Sequence, residues 1–179
     1  MQHLVPIKRW LTALLSATLG FSALAADEQA QDDRKLKAVY LFNFIRFIDW
    51  SDAHFANRDD AIRLCVGGDA GFMAMMQKLT AGRTIGKQQR KIEVHYSTAK
   101  SADNNCHLSY IRNQSEALAQ AGSKALKVGD SPALAEFGTA INFFYEGQRL
   151  RFEVLPGHLQ QGVSVSSELM KLAQIKEEE

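Results

Sequence analysis

The stretch KAVYLFNFIRFIDW, Lys37 to Trp50, sets ten apolar or aromatic side chains into fourteen positions and interrupts them with Lys37, Asn43, Arg46 and Asp49. At about 1.5 Å of rise per residue, a helix of this length falls short of a bilayer core of about 30 Å. The segment must therefore bury itself in protein. At about 100° per residue, Tyr40, Leu41, Phe44, Ile45, Phe47 and Ile48 share one broad face that can cover a sheet. Val39, Phe42, Asn43, Arg46, Asp49 and Trp50 fall on the other side. That side also needs a cover. One solution is a second subunit or a regulated partner, with Phe42 as the anchor and Arg46 fixing its orientation. The other is a further element of the same domain, such as a C-terminal helix bearing Leu169 and Leu172.

The rest of the chain supplies the sheet. AIRLCVGGD is a short apolar run ending in glycines, and GFMAMMQKL after it has helical spacing. KIEVHYS alternates as a strand, CHLSYI reads as a third strand, and QSEALAQAG reads as a helix closed by Gly122. ALKVGD is a strand, SPALAEFG a short helix framed by Ser131-Pro132 and Gly138, and INFFYEGQRLRFEVL a β-hairpin turning at Glu146-Gly147. VSSELMKLAQIK places Leu169, Leu172 and Ile175 on one helical face behind a serine cap. This alternation predicts a single α/β domain. Its sheet is mixed and mostly parallel, ends in an antiparallel hairpin and carries helices on its faces.

The amino terminus has a separate purpose. Lys8 and Arg9 precede an apolar run from Trp10 to Leu24, and Ala23-Leu24-Ala25 is a small-x-small cleavage site, so residues 1–25 read as a secretory signal peptide. An uncleaved membrane anchor is the alternative. Export would leave residues 26–179 as the domain and change the formal net charge from +1 to −1, since the leader holds two basic and no acidic residues. Nothing in that balance suggests nucleic acid or an anionic membrane surface. An oxidising compartment favours a bridge between the two cysteines, Cys65 and Cys106. A structural staple, a redox switch and two buried thiols all fit the sequence.

Signatures of catalysis are missing. The histidines beyond the leader, His54, His95, His107 and His158, show no i, i+3 or i, i+4 spacing for a metal on a helix, and no G-x-S-x-G or H-E-x-x-H occurs. No cofactor or metal is expected. VGGDAG could offer amides to an anion, but it lacks the spacing of a nucleotide loop and reads more simply as a tight turn with Asp69 capping the following helix. In RLRFEV, Leu150, Phe152 and Val154 alternate with Arg149, Arg151 and Glu153. That charged stripe is either a solvated face or a recognition surface for a carboxylate or an acidic segment.

Several of these segments together resemble a known family. Lys37-Ala38-x-Tyr40-Leu41-x-Asn43-Phe44-x-Arg46-Phe47-x-x-Trp50, Leu64-Cys65-Val66-x-Gly68-Asp69, Cys106-His107, Ile141-Asn142-Phe143, Arg149-x-Arg151-Phe152-Glu153 and Ser166-Ser167-x-Leu169-x-x-Leu172-Ala173 are similar to the YfiR-like family of periplasmic proteins. The resemblance implies a non-enzymatic regulator with a compact α/β fold and a tendency to dimerise. Such a protein holds the periplasmic sensor region of an inner-membrane diguanylate cyclase inactive, and an outer-membrane OmpA-like lipoprotein can sequester it. Cyclic di-GMP and biofilm formation would then be controlled from the periplasm. Cys65 and Cys106 align with a family cysteine pair. No cysteine follows Cys106, so a second family pair is absent, and the family's Trp-Pro helix end reads Trp50-Ser51 here.

Overall fold

A computed structural model describes residues 20–67, 70–97 and 105–177. The chain divides into Met1–Arg34 and Lys35–Glu179. Most of the expected signal peptide lies outside the described residues, as does the Asp69 cap. In chain order the elements are α1 Gly20–Phe47, β1 Ile48–Trp50, β2 Ile62–Gly67, α2 Ala70–Thr80, β3 Thr84–Ile85, β4 Arg90–Ser97, β5 Leu108–Ile111, α3 Gln114–Ala119 and β6 Leu126–Gly129. There follow β7 Ile141–Glu146, β8 Arg149–Val154, β9 Val163–Val165, α4 Ser167–Met170 and β10 Gln174–Ile175.

The main sheet has eight strands in the order β10-β8-β7-β6-β5-β2-β4-β3. Its centre, β4, β2, β5, β6 and β7, is parallel, and the β7–β8 hairpin and β3 run antiparallel to their neighbours. The parallel strands β2, β5 and β6 are buried along nearly their whole length, which is why they read as short apolar runs and not as alternating ones. The hairpin does alternate. Phe143 stands opposite Phe152, and Asn142 opposite Glu153.

The carboxyl-terminal half of α1 covers one face. Ala38, Leu41, Phe44 and Ile45 join Leu64, Val66, Leu108, Tyr110, Val128, Phe143 and Phe152 in one buried cluster. The Phe44 ring lies 5.0 Å from that of Phe152 and 5.8 Å from that of Phe143. The expected sheet-facing residues of the opening stretch thus do pack on the sheet, with Tyr40 and Phe47 only half-buried. The helix stops at Phe47. Ile48, Asp49 and Trp50 form β1, which pairs antiparallel with β9, so the last three residues of the stretch do not belong to a helical face.

The C-terminal expectation needs correction in the same way. Ser166 does cap a helix, its hydroxyl accepting from the Leu169 N–H at 3.3 Å, but α4 lasts four residues. Leu169 is buried while Leu172 is 63 % exposed, and Ile175 sits in β10 beside β8. A helix through Ile175 would have left the outer edge of β8 unpaired; the chain extends to cover it instead.

The second face of the sheet is more polar. Asn142 is fully buried, accepts from the Thr139 hydroxyl at 2.5 Å and donates to Glu153 at 3.2 Å. The other Glu153 carboxylate oxygen takes Lys176 at 3.2 Å. This chain of partners neutralises a carboxylate that would otherwise be costly to bury, and it ties β7, β8 and the C-terminal segment together.

Candidate functional site

Four of the sequence-predicted site residues, Val39, Phe42, Asn43 and Arg46, occupy α1. The structure separates them by depth. Val39 is 46 % exposed, Arg46 is exposed and Asn43 is half-buried, whereas Phe42 is only 7 % exposed and belongs to the main core cluster. An exposed aromatic anchor is therefore not what this position provides. The Arg83 guanidinium, contributed from the turn after α2, lies 4.9 Å from the Phe42 ring centroid, and Arg46 lies 5.9 Å from it. Arg46 also sits 5.6 Å from Phe47. Cations over aromatic faces hold the guanidinium in place without neutralising it.

Leu36, 42 % exposed, extends this strip one turn toward the amino terminus. Its spacing from Val39 and Asn43 is helical, a signal present in the sequence but lying just outside the stretch that drew attention. The outer strip of α1 is thus two exposed aliphatic residues followed by an amide and a fixed guanidinium. Lys37 anchors the same helix to the sheet: its ammonium meets Asp130 at 2.5 Å, and the buried Tyr110 hydroxyl donates to the same carboxylate oxygen. Burial first, then the Asp130 charge, pushes the Tyr110 phenol far above its ordinary value, so it stays a donor.

The charged stripe of β8 does not converge. Arg149 is exposed, Arg151 pairs with Glu146 across the hairpin at 3.1 Å, and Glu153 is 2 % exposed within the Asn142–Lys176 network. These three residues do not line one pocket. The reading of Glu153 as part of a solvated face fails because the C-terminal strand β10 lies beside it.

Two further regions could hold ligands. In open α/β sheets the usual place is the crevice at the carboxyl ends where strand order reverses, here between β2 and β5. The protein's own Glu116 fills it: the carboxylate accepts the Arg112 backbone N–H at 2.8 Å and lies so close to Gly67 that a Cβ there would collide with it. The opposite edge carries a cleft of about 930 Å³, lined among others by Ser51, His54, Arg63, Cys106, His107 and Lys124.

Beside that cleft the Cys65–Cys106 disulfide joins β2 to the lead-in of β5, with a Cα–Cα distance of 5.9 Å. His107 is locked next to it. Its Nδ1 accepts the Arg63 backbone N–H at 3.0 Å, which leaves Nε2 to donate to the His54 carbonyl at 3.1 Å. The ring stacks on Phe55 at 4.6 Å, and the Arg90 guanidinium lies 3.6 Å from the Phe55 ring centroid. Burial holds the imidazole below its ordinary pKa, and the neighbouring Arg63 adds to that. With both nitrogens engaged, His107 organises the loop and has no lone pair left for a metal or a substrate proton. Among the described residues no group of three His, Cys, Asp or Glu side chains could hold a metal ion, and no helix is long and apolar enough to cross a membrane.

A family model described as YfiR/HmsC-like matches residues 34–174, from within α1 to the first residue of β10. No curated protein matches the sequence. The chain belongs to the YfiR/HmsC-like family.

Proposed function

We propose that this member of the YfiR/HmsC-like family is a periplasmic inhibitory binding protein. It docks on the periplasmic sensor region of an inner-membrane diguanylate cyclase and thereby restrains cyclic di-GMP synthesis and biofilm formation. Family membership supports the class, since its members are periplasmic regulators and not enzymes. The observation that carries the docking surface is the outer strip of α1, where Leu36 and Val39 expose aliphatic carbon beside Arg46. Phe42 supports this strip from beneath, through its contact with the Arg46 guanidinium. Apolar area with a fixed arginine at its end suits a partner that presents an apolar patch bordered by a carboxylate.

An outer-membrane OmpA-like lipoprotein that competes for the inhibitor belongs to the same proposal. The test is capture of partners by the tagged protein from detergent-solubilised membranes of its own cells, together with cyclic di-GMP measured after deletion. The reading expects a membrane cyclase in the captured fraction and raised cyclic di-GMP in the deletion strain. A deletion strain with unchanged cyclic di-GMP and no captured cyclase would overturn it.

A second reading, a small-molecule sensor, is favoured by the cleft at the amino edge of the sheet. Arg46 on α1 and Arg151 and Glu153 on β8 are not among the residues that line this cleft.

A further inference from the structure

From Ala70 to Ile92 the chain carries Lys78, Arg83, Lys87, Arg90 and Lys91 and no acid, although its net charge as a whole is only +1. The fold uses one of these internally: Arg90 is buried and donates to the Asn57 and Asp60 carbonyls at 3.2 and 2.8 Å. Lys78, Arg83, Lys87 and Lys91 are exposed. Arg83 is placed by the end of α2. The helix stops at Thr80, Gly82 turns the chain with a left-handed φ of 69°, and the Arg83 backbone N–H returns to the Thr80 carbonyl at 3.0 Å.

From that turn the Arg83 guanidinium reaches the Phe42 ring of α1, which Arg46 also approaches. Both distances run to one ring centroid, 4.9 Å for Arg83 and 5.9 Å for Arg46, so the two cations are neighbours across a single aromatic side chain. Neither is paired with an acid among the described residues, whereas Arg112 has Glu116 and Arg151 has Glu146. Stacking on a ring positions a guanidinium and leaves its charge and its N–H donors in place. Two like charges held this way repel, and an incoming anion relieves the repulsion. Beside Arg83 a recess of about 400 Å³ opens between the end of α2 and β4. Ile92 and Val94 give it half-buried apolar surface, Arg83 and Lys91 give it two cations, and no acid lines it.

We propose that this surface receives an acidic segment of a partner protein, with a carboxylate between Arg46 and Arg83 and an adjacent apolar side chain in the recess against Ile92 and Val94. Arg83 and Lys91 thereby extend the docking surface from α1 across to β4. The proposal rests on the docking reading of α1, because Arg46 serves both. An anionic membrane would meet the same cations, but it has no use for a recess with apolar walls. Guanidiniums fixed on a ring suit the planar, bidentate geometry of a carboxylate.

The test is photo-cross-linking in the protein's own cells, with p-benzoylphenylalanine in place of Ala81, an exposed residue lining the recess, and separately in place of Val39 on α1. Both probes should trap the same protein, and the peptide joined at position 81 should contain Asp or Glu. Binding of the purified chain to the trapped domain should weaken at least about tenfold in Arg83→Glu and in Lys91→Glu and stay unchanged in Lys171→Glu. Lysine in place of the trapped acids should restore binding to Arg83→Glu. Should Arg83→Glu lower the Tm by loosening Phe42, Lys91→Glu still decides, since that side chain is exposed on β4. An adduct at position 39 alone overturns the proposal and leaves docking through α1 intact; no adduct at either position removes both. A position-81 adduct with a second copy of this chain overturns it as well. So does wild-type binding to phosphatidylglycerol vesicles that Arg83→Glu abolishes, in the absence of a position-81 protein adduct.

Discussion

Phe42→Ala tests how the opening helix is used. The ring is 7 % exposed within the main core cluster, so truncating it removes nearly the full apolar contribution of a buried phenylalanine. Such truncations cost about 3–5 kcal/mol, including the cavity left behind. The variant also loses the ring under Arg83 at 4.9 Å and under Arg46 at 5.9 Å, each worth about 0.5–1 kcal/mol where partly exposed. Against this, the long Arg83 side chain can settle into part of the gap, because the site lies at the margin of the core. About 3 kcal/mol is therefore the expected loss, equivalent to a fall in Tm of roughly 6–12 °C for a domain of this size. Urea unfolding followed by tryptophan fluorescence measures it, with Val39→Ala as the comparison. Val39 is 46 % exposed, and its truncation should move stability by less than about 0.5 kcal/mol. If Phe42→Ala lost under about 1 kcal/mol, the ring would not be held in the core, and the division of α1 into a buried and a docking side would be wrong.

Replacing Cys65 and Cys106 together by alanine should cost about 4 kcal/mol, since the bridge spans a separation of 41 residues. Thiol labelling of denatured wild-type protein should find no free cysteine. Because burial lowers the His107 pKa, the unfolded chain takes up its proton first; stability is full above about pH 6.5 and falls as the pH drops below it. Urea midpoints across that range should show this slope, and His107→Gln should flatten it. Glu153→Ala strands the buried Asn142 amide, and Lys176→Ala leaves the buried Glu153 carboxylate without its counter-charge; each should cost about 1–3 kcal/mol. A loss under about 0.5 kcal/mol for either variant in calorimetry would contradict the network described for the second face.

The parallel centre of the fold was legible because β2, β5 and β6 are short apolar runs punctuated by glycine or a helix cap and β4 alternates beside them. The side of α1 that packs on the sheet was legible from its periodicity. What escaped the sequence depends on contacts between distant segments. Phe42 looked like a surface anchor because its cover, Arg83, lies forty-one residues away on a turn with no pattern of its own. Glu153 looked solvated because alternation along β8 says nothing about β10, whose two residues follow an apparent helix. The helical reading through Ile175 failed because three apolar residues at helical spacing also fit a single turn followed by an extended edge, and closing β8 decided between them. His107 could not be distinguished from a candidate ligand until both of its ring nitrogens had partners. Its adjacency to Cys106 was visible, but its lock on the loop was not.

The most direct measurement is the affinity of the purified protein for the isolated periplasmic sensor region of a cyclase identified by the capture experiment. Wild type should be compared with a Val39→Asp/Arg46→Glu double variant by biolayer interferometry, and the Tm of each recorded. Both residues face outward on α1. The expected result is a loss of at least about tenfold in affinity, or about 1.4 kcal/mol, with the Tm unchanged within a few degrees. A double variant that binds the sensor region as tightly as wild type would contradict docking through α1, and a wild-type protein that does not bind it at all would contradict the inhibitory function itself.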